Sequence, residues 1–228
     1  MDAFHNAKLH ANRTLSPQMH NLDSIHNMNT LQLGEGRLEV ICGPMFSGKT
    51  EELLRRVRRA VIAHQPTLLI KPATDTRYAV NEIVSHDKNA MPSKVVSKSK
   101  DILESLDVDG RSALVIAIDE AQFFDDDLPE VCNELANRGL RVIVAGLDLD
   151  FTGKPFGAMP TLLALAEEVT KLHSVCVETG RDAHFSHRIA GGVDTVELGE
   201  KDRYVPLARH AFVAFRAPKK KTDPETDG

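Results

Sequence analysis

The sequence predicts an α/β fold: a parallel sheet with helices on both faces, followed by a smaller C-terminal appendage. Three observations predict it. Residues 37–42 read as a strand, and short apolar stretches, the mark of strands buried on both faces, follow at residues 67–71, 113–118 and 141–146. Apolar residues at helical spacing alternate with them: Leu53, Leu54, Val57, Ala60 and Val61 after the first strand, and residues 127–138, stopped by Gly139, after the third. Between the first strand and the first helix lies Gly43-Pro44-Met45-Phe46-Ser47-Gly48-Lys49-Thr50, which satisfies G-x-x-x-x-G-K-[ST] at every constrained position.

That last stretch is a phosphate-binding loop. Its glycines let the backbone turn tightly and present successive N–H groups to phosphate oxygens. Lys49 reaches the outer phosphates as a point charge, and the Thr50 hydroxyl can bind Mg²⁺. A strand before it and a helix after it aim a helix N-terminus at the phosphates. Residues 43–50 are therefore expected to bind a nucleoside triphosphate.

The remaining elements follow in order. Residues 1–35 are polar, rich in His and Asn and without periodicity, and are expected to form a disordered leader. Its histidines match no metal-ligand spacing, and Met28 offers a second possible start. Arg55, Arg56, Arg58 and Arg59 form a basic run on the first helix, expected to be a solvated face or a subunit contact. The second strand runs out at Pro72, which places Asp75 and Arg77 in a loop leaving a strand end, where ligands of open α/β sheets gather. Residues 82–86 and 94–97 read as short strands or loops, and residues 100–106 as a short helix. The strand at 113–118 runs straight into Asp119-Glu120, the Walker B arrangement. Asp119 can hold Mg²⁺ through water, and Glu120 can point at the reacting oxygen as a general base. Residues 147–160 form a loop with apolar anchors, residues 161–166 a helix and residues 169–176 a strand. The lysine-bearing tail, residues 217–228, is expected to be disordered.

Composition narrows the classes. With 28 basic and 33 acidic residues the net charge is −5, so no general nucleic-acid surface is indicated. No apolar run approaches a membrane span, and the N-terminus lacks an apolar signal core. Three cysteines far apart, Cys42, Cys132 and Cys176, suit reduced thiols. A cytoplasmic protein is expected.

The motifs in register carry more. The phosphate loop, Lys71-Pro72 with Asp75-x-Arg77-Tyr78, Ser85-His86, Asp119-Glu120-Ala121-Gln122-Phe123-Phe124, Gly146-Leu147-Asp148 and Lys154-Pro155-Phe156-Gly157 closely resemble the thymidine kinases of the cellular, tetrameric type. The resemblance spans about residues 36–216. It implies a RecA-like P-loop core over 36–172, a small lasso and lid domain over 173–216, and a homotetramer. It implies transfer of the γ-phosphate of ATP to the 5′-hydroxyl of thymidine, and of deoxyuridine, in nucleotide salvage. Glu120 would be the base, and Arg77 would steady the transferring charge beside Asp75. Residues 43–50 with Asp119, Glu120, Ala121 and Gln122 would hold ATP, and Thr50 and Asp119 its Mg²⁺. Met45, Phe124, Phe151 and Phe156 match apolar walls around the base. Ser186, Val196 and Tyr204 match lid positions that close over the nucleoside.

One departure stands out. The family usually carries a structural zinc on two C-x-x-C pairs, which fall here on Cys176-Val177-Glu178-Thr179 and Ala208-Arg209-His210-Ala211. Cys176 is the only retained ligand, so zinc is expected to be absent, with apolar packing or subunit contacts in its place. His173, His184, His187 and His210 offer a substitute set without a usual ligand spacing. At Glu120 alone, two other readings stay open: an ATPase whose acidic residue polarises water, and a nucleotide-binding regulatory module without turnover.

Overall fold

The computed structural model of the protein describes residues 35–73, 82–84, 90–108, 110–189 and 203–216. The leader and tail expected at the two ends lie outside them.

β1 (Arg37–Cys42) leads through the phosphate-loop motif into α1 (Lys49–Ile62). β2 (Thr67–Pro72), a ribbon of β3 (Glu82–Val84) with β4 (Ala90–Pro92), and β5 (Lys94–Val96) follow. Next come a 3-10 turn (Ser99–Ile102), a ribbon of β6 (Asp107–Val108) with β7 (Arg111–Ser112), and β8 (Val115–Ile118). A second 3-10 turn (Ala121–Phe123), α2 (Leu128–Asn137), β9 (Arg141–Gly146), α3 (Met159–Leu165) and β10 (Glu168–Lys171) complete the core. The C-terminal part comprises β11 (Ser174–Val175), β12 (Asp182–Ala183), β13 (Phe185–Arg188), β14 (Tyr204–Leu207) and α4 (Arg209–Arg216).

Six strands form one sheet in the order β10-β1-β9-β8-β2-β5, every neighbouring pair parallel. All six therefore end at one edge of the sheet, where the loops of an α/β protein carry its site. Strand alternation decides what packs on each face. Ile41, Leu69, Val115, Ala117, Ile143 and Ala145 meet Leu53, Leu54, Val57 and Ala60 of α1. Leu38, Val40, Ile116, Ile118, Val142 and Val144 face the other way, against Leu128, Val131, Cys132 and Leu135 of α2 and Met159 and Leu162 of α3. Leu149 and Val205 pack on a third cluster of Cys176, Ala183, Phe185, Leu207, Ala208, Ala211 and Phe212.

The basic run on α1 departs from its expected role. Arg58 and Arg59 are exposed, but Arg56 is 6 % exposed and points into the sheet. There it donates to Glu39 Oε2 at 2.7 Å, Glu52 Oε1 at 2.8 Å and Thr170 Oγ1 at 2.8 Å. Glu39, buried in β1, also accepts from Arg37 at 2.7 Å and from both Nε and Nη2 of Arg141 at 2.6 and 2.9 Å. Burial works against charging Glu39, but hydrogen bonds from Arg141 and Arg56 and nearby positive charge outweigh it and draw its pKa down to about 2.

Three other expectations are corrected. The strand expected over 169–176 is two strands in different sheets. β10 stops at Lys171 because its neighbour β1 ends opposite, at Cys42, and β11 then pairs antiparallel with β12. The helix expected over 100–106 is the 3-10 turn Ser99–Ile102. α3 starts at Met159, two residues before the expected 161, since Pro160 falls in the first turn, where a missing N–H costs nothing. α4 was not anticipated as a helix at all; in sequence it resembles the end of an irregular appendage.

Candidate active site

The phosphate loop leaves β1 with Gly43 at φ 145° and enters α1 through Gly48 at φ 83°. A side chain at Gly43 would stand 2.3 Å from the Leu172 carbonyl oxygen, so this glycine serves close packing as well as the turn. Ser47 Oγ and Lys49 Nζ both donate to the Pro44 carbonyl, at 2.8 and 2.7 Å, which folds the loop over its own mouth. Phe46, at φ 64°, takes the left-handed conformation between them.

β8 delivers the acidic pair to this loop. Thr50 Oγ1 donates to Asp119 Oδ2 at 3.0 Å, and the Glu120 amide donates to Asp119 Oδ1 at 2.9 Å. Burial raises the Asp119 pKa, and the neighbouring Glu120 charge pushes it the same way against the Thr50 and amide hydrogen bonds. Glu120 itself sits at φ 52° and ψ 42°, a left-handed conformation in a non-glycine residue. Gln122 Nε2 donates to Glu120 Oε2 at 2.5 Å, while Gln122 Oε1 accepts from the Leu147 amide at 2.9 Å. A backbone N–H can only donate, so the Leu147 contact orients the amide and leaves its nitrogen for the carboxylate. Gln122 thus joins Glu120 to the start of the loop after β9.

That loop closes on itself. Asp150 Oδ1 accepts from the amides of Thr152 and Lys154 and from the Thr152 hydroxyl, at 2.8, 3.0 and 2.7 Å. Leu149 pairs with Pro155 as an antiparallel bridge. Gly153, at φ 78°, lies so close to Phe212 that a Cβ would stand 2.9 Å from its ring, and Arg216 Nη1 donates to the Thr152 carbonyl. At the loop's base, Asp148 is buried and pairs with Lys171 at 2.7 Å.

The C-terminal part reaches both loops. Ser186 Oγ accepts from the Met45 amide at 2.8 Å, directly on the phosphate loop. Tyr204 Oη accepts from Arg188, whose guanidinium lies over the Phe151 ring at 3.9 Å. Phe156 packs edge-on against Phe123 at 5.8 Å. Ala121 and Phe124, in contrast, are buried in the core cluster on the α2 side. Asp75, Arg77 and Val196 lie outside the described residues.

A model of the thymidine kinase family matches residues 36–212. The chain belongs to the thymidine kinase family. Among relatives similar to it, a thymidine kinase of Bacteroides fragilis is 53 % identical over 178 residues, 78 % of this chain and 87 % of that protein. One of Porphyromonas gingivalis is 51 % identical over 195 residues, 85 % of this chain and 93 % of that protein. One of Rhodothermus sp. is 51 % identical over 177 residues, 78 % and 81 % of the two chains.

Two metals associated with the thymidine kinase family fit this member differently. The Thr50 hydroxyl and the Asp119 carboxylate, 3.0 Å apart, are hard oxygen groups of the kind that would suit Mg²⁺. Among the described residues no group of three or more His, Cys, Asp or Glu could hold a metal. At the family's zinc positions Ala208 and Ala211 are buried with Cys176 among apolar side chains, and methyl groups cannot replace thiolates. His173 and His184 pack ring to ring at 4.4 Å, and His187 lies against Phe212 and Phe215. The donor set does not fit zinc.

Two site contacts had no signal in the motifs: Phe123 against Phe156, and Arg188 over Phe151. Both are contacts between distant segments, which periodicity does not report. All three cysteines are free, and burial, helped by the Asp148 charge, pushes the Cys42 thiol up to about 11. A thiol so raised is inert beside the loop.

Proposed function

We propose that the protein is an ATP:thymidine 5′-phosphotransferase, accepting deoxyuridine as well, that makes dTMP in nucleotide salvage. The observation that carries it is the Thr50–Asp119 hydrogen bond, which joins the phosphate loop to the strand end where Glu120 follows. Phosphoryl transfer needs positioning and charge stabilisation more than covalent chemistry. Residues 43–50 cradle the ATP phosphates, with Lys49 on the outer ones. Glu120, oriented by Gln122, takes the proton of the 5′-hydroxyl. Thr50 and Asp119 would hold Mg²⁺, which when bound would neutralise charge on the phosphates. Arg77 and Asp75 act at the transferring group by analogy with the family.

Met45, Phe151, Phe156, Ser186 and Tyr204 surround the nucleoside in this reading, with Phe124 supporting from the core; Val196 joins them by analogy with the family alone. Ser186 supports it by bonding directly to the phosphate loop. The family resemblance favours a homotetramer, and the three free cysteines favour a reducing, cytoplasmic setting. Among the described residues no helix is long and apolar enough to cross a membrane. The C-terminal lobe holds together without zinc, through the cluster around Phe185 and Phe212.

ADP release with Mg-ATP, with and without thymidine, tests the reading. The kinase releases ADP only with thymidine. Release without it would make the protein an ATPase, and none in either case a silent nucleotide-binding module. Metal analysis of the same sample is expected to find no stoichiometric zinc, and native mass a tetramer.

A further inference from the structure

We infer that Arg188 is a positioning residue for the nucleoside: it locks Phe151 and Tyr204 into one rigid wall and thereby sets the affinity for thymidine. The inference rests on the reading of Phe151 and Tyr204 as walls of the nucleoside site, and adds a residue that reading did not contain.

β13 alternates between two faces. Phe185 stacks on Phe212 of α4 at 4.4 Å with the rings 12° apart, and His187 lies against Phe212 and Phe215. Ser186 and Arg188 therefore share the opposite face. Ser186 identifies what that face looks onto, because its hydroxyl accepts the Met45 amide of the phosphate loop at 2.8 Å. Two residues on, the Arg188 guanidinium carbon stands 3.9 Å from the centre of the Phe151 ring. In its own plane the same guanidinium donates from Nε and Nη2 to Tyr204 Oη, at 3.0 and 2.8 Å. Tyr204 is its register partner across the β13–β14 ribbon.

Only a flat, forked cation can stack on one ring and donate two hydrogen bonds to another side chain at once; an ammonium cannot. Both contacts use Tyr204 Oη as the acceptor, and a guanidinium has no atom that accepts, so the phenol proton is left for an acceptor other than Arg188. The guanidinium covers one face of Phe151, which fixes the plane of the ring. Phe151 belongs to the loop closed by Asp150, and Tyr204 to the lid ribbon. One side chain thus ties the two walls together before the base arrives.

Steady-state kinetics of R188A, R188K, Y204F and F151L, each with its thermal unfolding by circular dichroism, test this. R188A is expected to raise the thymidine KM about tenfold while the ATP KM stays within about twofold. R188K is expected to recover only part of the loss, because it restores charge without the fork. F151L is expected to raise the thymidine KM too, and the R188A/F151L double variant to lose less than the product of the two. An unchanged thymidine KM in R188A beside a raised one in F151L overturns the role of Arg188 and leaves the site reading standing. Unchanged values in both remove the site reading and this inference with it. Equal rises for both substrates with a lowered unfolding temperature mark Arg188 as a structural residue only. Should R188A fail to fold, Y204F decides: it removes the hydroxyl that accepts from Arg188 and keeps the ring, and a thymidine KM equal to wild type overturns the proposal.

Discussion

Glu120 is held against its own backbone preference. At φ 52° a non-glycine residue carries strain of about 1 kcal/mol or more, which the surrounding contacts must offset. Gln122 supplies one of them, spanning from the Glu120 carboxylate to the Leu147 amide. Glu120→Gln, which keeps the shape and removes the base, is expected to lower kcat roughly a hundredfold or more with ATP affinity retained. Near-normal turnover would take Glu120 out of the mechanism. Gln122→Ala removes one hydrogen bond from Glu120 and one from the Leu147 amide, and is expected to lower kcat about tenfold with little change in the ATP KM. A variant that instead binds ATP poorly and turns over normally would assign Gln122 to the nucleotide rather than to the base.

At the scale of elements, a buried carboxylate joins β1, α1 and β9. Arg56 of α1 and Arg141 of β9 both donate to Glu39, and no apolar contact could fix the three so directionally. Its folded pKa of about 2 lies below the ordinary 4.5, so the native state binds fewer protons in between. The stability this carboxylate contributes is complete above pH 4.5 and is lost as the pH falls toward 2; the shift corresponds to about 3 kcal/mol. Unfolding temperatures measured across that window are expected to fall more steeply for wild type than for Glu39→Gln. At neutral pH the same variant leaves three arginines facing a neutral amide and is expected to be less stable by about 3 kcal/mol. Parallel slopes in the two proteins would place the acid sensitivity elsewhere. These elements also divide what the sequence could and could not disclose. β1, β8 and β9 were legible because strands buried on both faces are mostly apolar, and the phosphate loop because its chemistry demands particular residues. Glu39 was passed over as one charge in an apolar strand, and Arg56 read as surface, because its burial depends on a partner 17 positions away. The break after Lys171 was illegible for a similar reason: it is decided by where β1 ends.

Over the whole molecule, the C-terminal lobe has apolar packing around Cys176, Ala208 and Ala211, the family's zinc positions. Phe185 on Phe212, Gly153 against the Phe212 ring and Arg216 on the Thr152 carbonyl bind α4 to the loop that carries Phe151. A strong zinc chelator is expected to leave the unfolding temperature unchanged, whereas Phe212→Ala is expected to lose about 3 kcal/mol and raise the thymidine KM. A chelator-induced drop would return the metal to the fold. The sheet order carries a consequence of another kind. β1 is made first, yet its two neighbours are β9 and β10, the last core strands to be made. When synthesis has reached residue 140, β2, β5 and β8 already have partners to pair with, and β1 has none. The segment that writes the phosphate loop must therefore wait for more than a hundred later residues before the sheet accepts it, and long-range pairing of this sort is slow. A chain released at that point holds the whole loop motif and is expected not to retain ATP on a filter. The phosphate loop is thus written early in the chain, while both strands that flank β1 in the sheet come late.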